Sequence, residues 1–150
     1  MDNTSREKLR KRVFLLSLLI FLIALSQPAF YIDRVDYDGW SSPIGLILVG
    51  WLPILAGEGS AIAWLANPLI IVSWVSLFKM EKISFWTSLA SIAFALSFLF
   101  VDEIMSSEAP TYSKVTEIKL GYWLWVSSMV TFSLGALYLA ITKKSQDLVD

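Results

Sequence analysis

Five apolar stretches separated by short polar segments make up most of this chain. Four of them are long enough to cross a hydrocarbon core about 30 Å thick, because a helix rises about 1.5 Å per residue. The fifth stretch, residues 44–56, would form a helix only about 20 Å long. The pattern therefore predicts one short interfacial or re-entrant helix and four transmembrane spans, at residues 13–32, 61–78, 83–101 and 120–141.

Two interruptions divide the long apolar region between residues 44 and 78. The segment Gly57-Glu58-Gly59-Ser60 separates the short helix from the second span, and Asn67-Pro68 lies inside that span. A proline lacks the backbone donor and clashes with the carbonyl group one turn earlier. We therefore expect Asn67 to hydrogen-bond a neighbouring helix or a carbonyl group freed by Pro68.

The composition agrees with a protein embedded in lipid. Apolar residues make up 56 % of the chain, charged residues only 17 %, and the mean hydropathy is +0.63. These values lie outside the usual ranges of soluble domains. We predict an all-α integral membrane protein, a single domain over residues 1–150 with tails at residues 1–12 and 142–150.

The distribution of Lys and Arg predicts the orientation. If residues 44–56 do not cross, nine of the twelve Lys and Arg residues lie on the side that holds both termini and residues 79–82. If residues 44–56 cross, the division becomes seven against five. Cytoplasmic loops carry the excess of Lys and Arg, so the first arrangement is favoured. We expect a multi-pass protein of the inner membrane with both termini cytoplasmic.

The start of the chain has a second interpretation. A basic segment, an apolar run and the small residues of Ala24-Leu25-Ser26 are also typical of a cleaved signal peptide. Apolar residues resume after Pro28, however, and residues 13–32 together would span about 30 Å. We expect a retained anchor, with cleavage as the alternative.

The absence of Cys and His excludes much chemistry. Disulfides, thiol redox centres, Cys/His metal sites and histidine bases all need these residues. The four predicted spans also lack ionisable residues, which usually mark transport and proton pathways. We expect no enzyme activity, cofactor or metal, and a net charge of −1 gives no reason to expect a nucleic acid partner.

Small residues recur at one-turn spacing in the last two spans, a pattern that lets helix backbones approach closely in lipid. We interpret both stripes as helix-packing seams. A conduit lined by hydroxyl groups is the functional alternative, although conduits usually also contain a buried ionisable group. The stripes comprise Ser84, Ser88, Ser91 and Ala95 in the third span, and Ser127, Thr131 and Gly135 in the fourth.

Glu58 is the best candidate for a functional polar residue. At the start of the second span its carboxylate would face the positive end of the helix dipole, so it is predicted to cap that helix. The alternative makes Glu58 the polar anchor of a shallow pocket between the short helix, the Gly57–Ser60 hinge and the extracytoplasmic loops.

Three segments resemble a pattern found in small uncharacterised bacterial multi-spanning inner-membrane proteins. They are Gly50-Trp51, Trp64-Leu65-Ala66-Asn67-Pro68-Leu69 and Gly121-Tyr122-Trp123-Leu124-Trp125. The resemblance covers about residues 50–130 and implies a bacterial inner membrane, but no activity.

For function, we expect a non-enzymatic membrane protein that acts through protein or lipid contacts. Its partners would be the lipid bilayer and a membrane protein or a second copy of the chain. The predicted outer loops carry eight acidic residues against three basic ones. The alternatives are a bacteriocin-immunity-type protein, by analogy of size, and a small transporter or channel subunit.

Overall fold

A computed structural model describes residues 3–33, 42–105 and 112–146, with side chains described as far as Thr142. These residues form a mostly helical fold with a small β-sheet. The helices are α1 (Asn3–Ala24), α2 (Pro43–Val49), α3 (Leu52–Leu55), α4 (Ala66–Ser76), α5 (Glu81–Ser97) and α6 (Leu120–Gln146). A 3₁₀ helix (Gly59–Leu65) leads into α4, and another (Phe98–Phe100) extends α5. The strands are β1 (Phe30–Ile32), β2 (Glu103–Met105) and β3 (Tyr112–Ile118).

In the described part of the chain, three helical segments are long and apolar enough to cross a membrane. They are Gly59–Ser76, Glu81–Phe100 and Leu120–Thr142, which match the second, third and fourth predicted spans closely. Helix α1 has 22 residues, but charged residues crowd its first half. Helix length and composition therefore identify three candidate spans, and α1 is not one of them.

The first predicted span differs from the helix that forms. The helix begins at Asn3, so most of the predicted N-terminal tail is helical, and it ends at Ala24 rather than Ile32. The Ser26 hydroxyl donates to the Ile23 carbonyl oxygen (2.7 Å), which satisfies a carbonyl group at the helix end. Pro28 also disfavours helical geometry in the residue before it. At the other end of the chain, α6 continues to Gln146 and includes part of the predicted tail.

The prediction of an all-α fold is therefore only partly correct. Strands β1 and β2 both pair antiparallel with the central β3. In this pairing Phe30 lies opposite Ile118, and Ile104 lies opposite Ser113. Strand β3 lies between the third and fourth predicted spans, where no helix or strand is predicted. Its Tyr, Val, Thr and Ile residues nevertheless favour a strand.

The four long helices form a bundle. Helix α1 packs along α6, α6 along α5, and α5 along α4. Edge-to-face contacts of Trp74 with Phe14 and Phe21 close the ring between α4 and α1. The bundle interior contains fully buried side chains, among them Ile70, Leu77, Met129, Phe132 and Leu139. We call the end where α1 and α5 begin the basic end, and the opposite end, where the strands lie, the sheet end.

The predicted short helix over residues 44–56 forms as two shorter helices, α2 and α3. Pro43 occupies the first turn of α2, directly after the N-cap position Ser42, whose side chain makes no capping hydrogen bond. Pro53 lies in the first turn of α3, where its missing N–H costs little. The chain then reverses at Gly57, whose φ of 81° favours glycine.

The first predicted packing seam lies on a buried face of α5. Ser84, Ser88, Ser91 and Ala95 are all fully buried on one face of α5. Alternating spacings of four, three and four residues keep these positions within about 60° of one another around a helix. The Ser84 hydroxyl donates to the Ser73 carbonyl oxygen (2.8 Å), and the Ser91 hydroxyl donates to the Ala66 carbonyl oxygen (3.0 Å). Helix α5 is thereby bonded to the backbone at both ends of α4.

The second predicted seam is wrong at its first position. Ser127 is exposed and Thr131 is half-buried, whereas Gly135 packs against α1, where an added Cβ would lie 2.5 Å from Val13. Two successive spacings of four residues drift by about 80° around a helix, so the stripe leaves the packed face. The neighbouring Ser128 is fully buried instead, and its carbonyl oxygen accepts a hydrogen bond from Ser17 (2.9 Å).

Replacing one serine from each stripe distinguishes the two surfaces. Ser88→Leu should destabilise the protein by about 1–3 kcal/mol, because a fully buried position would be overpacked. Ser127→Leu adds the same side chain to an exposed position and should change stability by less than about 0.5 kcal/mol. Thermal unfolding in a mild neutral detergent measures both variants. Equal losses of stability would contradict the assignment of the faces.

Candidate functional site

A cavity with a volume of about 150 Å³ lies at the sheet end. It is lined by the end of α1, the short helices α2 and α3, the 3₁₀ helix before α4, and the start of α6. Its lining is almost entirely apolar or aromatic and includes Leu25, Phe30, Ile47, Ala63, Trp64 and Phe98. A concave apolar site with few polar groups is typical of ligand pockets.

Trp64 holds the short helix α2 in place beside this cavity. Its indole Nε1 donates to the Ile47 carbonyl oxygen of α2 (3.1 Å). The indole ring also lies against Gly50, where an added Cβ would be 2.9 Å from the Trp64 Cδ1 atom and closer still to the Leu46 carbonyl oxygen. A side chain at residue 50 would therefore displace α2 from Trp64. The wall of the cavity depends on a glycine opposite a tryptophan.

Asn67 provides a polar group beside the cavity. Its side chain is buried, and its Oδ1 atom accepts a hydrogen bond from Trp125 Nε1 (3.0 Å), which joins α4 to α6. This contact bonds Asn67 to a neighbouring helix. Pro68 follows as the third residue of α4, just after the 3₁₀ helix passes into the α-helix.

Tyr122 is the second buried polar side chain that lines the cavity. Its hydroxyl donates to the Ala95 carbonyl oxygen (3.0 Å), so it ties the start of α6 to the end of α5. Because Asn67 and Tyr122 both use their polar groups to join helices, the polar edge of the cavity is held in a fixed position.

Glu58 lies at the predicted helix start but does not act as predicted. It is the N-cap residue of the 3₁₀ helix, yet its carboxylate makes no capping hydrogen bond and does not line the cavity. The carboxylate instead accepts a hydrogen bond from the Tyr112 hydroxyl of β3. This bond raises the pKa of Tyr112, because the nearby negative charge disfavours a phenolate. Glu58 is therefore not the polar anchor of the cavity, which has Asn67 and Tyr122 at its polar edge.

Gly121 allows the chain that follows α1 to cross the start of α6. An added Cβ would lie 2.7 Å from the Pro28 carbonyl oxygen and closer still to that of Gln27. The Gly121 N–H donates to the same Pro28 oxygen (3.0 Å), and the Lys119 N–H donates to the Ala29 oxygen (2.9 Å). These bonds hold the α1–β1 connection at the rim of the cavity.

A second group of polar residues, at the basic end, was not predicted. Glu81 is buried and accepts hydrogen bonds from the guanidinium groups of Arg6 and Arg10. The shortest N–O distances are 2.5 Å for Arg6 and 2.6 Å for Arg10. We call Arg6, Arg10 and Glu81 the arginine cluster. Its sequence signal was a single acid among the lysines of residues 79–82, together with two arginines spaced one turn apart on α1.

The fold and its two polar groups define a mostly helical protein with three helices suited to crossing a membrane and an apolar cavity at one end of its bundle. Searches of protein-family models, curated proteins and solved structures found no match.

Gly121 offers a direct test of the cavity rim. Gly121→Ala should lower the free energy of unfolding by at least about 1 kcal/mol, because backbone oxygens obstruct the new methyl group. Gly59→Ala is the matched control, since an added Cβ there would meet nothing within 4 Å. Both variants are compared by thermal unfolding in the same detergent. A Gly121→Ala variant as stable as Gly59→Ala would contradict the close approach.

Proposed function

We propose that this chain is a four-span protein of a bacterial inner membrane that acts without catalysis, by holding an acyl chain of a membrane lipid in the cavity at the sheet end. Both termini and the basic end lie in the cytoplasm. The cavity is the observation on which this proposal rests. Of the two kinds of contact expected from the sequence, protein or lipid, it favours lipid.

The size and lining of the cavity fit part of a hydrocarbon chain. A dry apolar cavity of about 150 Å³ accepts a guest the size of benzene, or about six carbon atoms. The polar groups of Asn67 and Tyr122 lie at one edge of the cavity, and the rest of its lining suits hydrocarbon. A segment of one acyl chain is therefore a better match than a whole lipid or a charged metabolite.

The surfaces of the short helices support the bilayer as the source of the bound acyl chain. Their outward surfaces carry exposed large apolar residues, with exposures of 57 % for Ile44, 66 % for Leu48 and 76 % for Leu55. Such a surface is stable when it faces hydrocarbon. In the proposed arrangement α2 and α3 lie in the outer leaflet, so a lipid chain reaches the cavity without passing through water.

Packing supports α1 as the fourth span. It lies along α6 for much of its length, and its outward face carries Leu15, Leu19 and Leu22, each more than half exposed. The apolar residues 13–24 of α1 are about 18 Å long, and the apolar residues 29–32 that follow extend this apolar stretch at the sheet end. Glu81 pairs with Arg6 and Arg10, which lowers the cost of burying Arg6 at the basic end.

Cysteine labelling tests the orientation, because the chain has no cysteine of its own. The exposed residues Lys8, Lys79 and Glu103 are each replaced by Cys in separate variants. In intact spheroplasts a membrane-impermeant maleimide should label Glu103→Cys, and it should label Lys8→Cys and Lys79→Cys only after lysis. Labelling of Lys8→Cys while Lys79→Cys stays protected would contradict a crossing by α1.

Lipid retention tests the cavity. The protein is purified, incubated with phosphatidylcholine in mild detergent and analysed by native mass spectrometry. The wild type should retain one phospholipid per chain. Ala63→Phe should reduce that retention at least tenfold, because Ala63 is buried and lines the cavity.

Ile62→Phe is the matched control, since Ile62 is the next residue along the chain, is 41 % exposed and does not line the cavity. This variant should retain lipid as the wild type does. Unfolding curves of both variants verify that they fold. A wild type that retains no phosphatidylcholine, or an Ala63→Phe variant that retains it normally, would overturn the proposed function. Recovery of a stable dimer without lipid would favour protein contacts instead.

A further inference from the structure

The arginine cluster at the basic end has an excess of positive charge. Two guanidinium groups share one carboxylate, and each guanidinium group offers five N–H donors in a planar fork. Glu7, the residue that follows Arg6, is exposed, pairs with Lys11 (2.7 Å) and has a weaker electrostatic interaction with Arg10. Among the described acids, Glu81 is the one that forms ion pairs with the cluster, so one buried carboxylate faces two guanidinium groups.

Glu81 accepts four hydrogen bonds from the two guanidinium groups. Its Oε1 atom accepts hydrogen bonds from Arg6 Nε, Arg10 Nε and Arg10 Nη2, and its Oε2 atom accepts one from Arg6 Nη2. This number equals the roughly four lone-pair sites of a carboxylate. Arg6 Nη2 also donates to the Leu139 carbonyl oxygen of α6 (2.6 Å).

Donors of the cluster remain unused after these bonds are made. Arg6 Nη1 is fully buried and has no hydrogen-bond partner among the described residues. A buried donor without an acceptor costs about 1–3 kcal/mol, and more when it is charged. The Arg10 side chain is 23 % exposed, so it connects the buried Arg6 to the surface. An acceptor at the surface would therefore contact Arg10 directly, and Arg10 shares the Glu81 carboxylate with Arg6.

The surroundings indicate the chemistry of the missing acceptor. The exposed cations Lys79 and Lys82 flank Glu81 along the chain, and Ile83 and Trp86 follow on α5 with exposures of 45 % and 65 %. Cations beside an exposed apolar surface suit a group that has both a phosphate and hydrocarbon chains. Arginine forks bind phosphate oxygens in a bidentate manner, with better geometry than a single ammonium group.

We propose that the arginine cluster binds the phosphate group of an anionic phospholipid, with the acyl chains lying along the apolar surface of α5. The phosphate supplies several acceptor oxygens and the missing negative charge. This site is at the opposite end of the bundle from the cavity and does not depend on the function proposed for the cavity.

Titration with two lipids tests the site. Protein in neutral detergent is titrated with phosphatidylglycerol or phosphatidylcholine, and bound lipid is counted by native mass spectrometry. The wild type should bind phosphatidylglycerol at least tenfold more tightly than phosphatidylcholine. Arg10→Gln should lose this preference. Arg12→Gln removes the same charge from an exposed position of α1 outside the cluster and should keep it. If both variants lost the preference to a similar extent, the preference would depend on net charge alone, and the proposed site would be wrong.

Two further measurements keep the test independent of folding and of the phosphate source. Arg10→Lys keeps the charge but lacks the planar fork, so it should fold and bind phosphatidylglycerol several-fold less tightly. Wild-type affinity in Arg10→Lys would count against phosphate coordination by the fork. Inorganic phosphate at the same concentration should neither bind nor displace the lipid. Displacement by inorganic phosphate that depends on Arg10 would overturn the lipid assignment in favour of a soluble anion.

Discussion

The buried pairing of Glu81 with Arg6 and Arg10 is the interaction on which the arrangement of the bundle depends. It joins the starts of α1 and α5, and the bond from Arg6 to the Leu139 carbonyl oxygen adds α6. Removing one partner of a buried ion pair typically costs about 3–5 kcal/mol, because the other charge stays buried. A sliding motion of α1 along α6 by one turn would separate these charges, so the pairing fixes the register as well as the neighbours.

Away from the basic end, hydrogen bonds between helices do the same work with uncharged groups. Ser17 accepts from Trp74 Nε1 (3.1 Å) and donates to the Ser128 carbonyl oxygen, so one hydroxyl links α4, α1 and α6. In lipid, apolar side chains gain little by leaving the surrounding hydrocarbon, and such bonds contribute about 0.6 kcal/mol each on average. These bonds are directional, so each of them forms only at one rotation of the helix about its axis. Small residues at the contact let the helices approach closely enough for the bonds to form.

The sequence predicted the features that follow from periodicity and missed those that require distant residues to meet. Apolar length predicted the cores of three spans, and the spacing of Ser84, Ser88 and Ser91 predicted a buried face. The end of α1 was misplaced because an apolar run does not distinguish helix from strand, and β1 forms only through its pairing with β3, more than 80 residues further along the chain. The partner of Glu81 was equally hidden, because Arg6 is 75 residues away.

The cavity and the short helices have a common origin in the length of residues 44–56. A segment too short to cross must turn back, and this one turns at Gly57 after two short helices, the first of which is hydrogen-bonded to Trp64. Helices α2 and α3 then cover the end of the bundle but do not fill it. Their side chains pack incompletely against the bundle and leave the cavity. In the proposed bilayer the space left beneath them faces hydrocarbon on one side and the Asn67–Trp125 bond on the other. The same break that makes this segment unsuitable as a transmembrane helix therefore creates the site at which a lipid chain would bind.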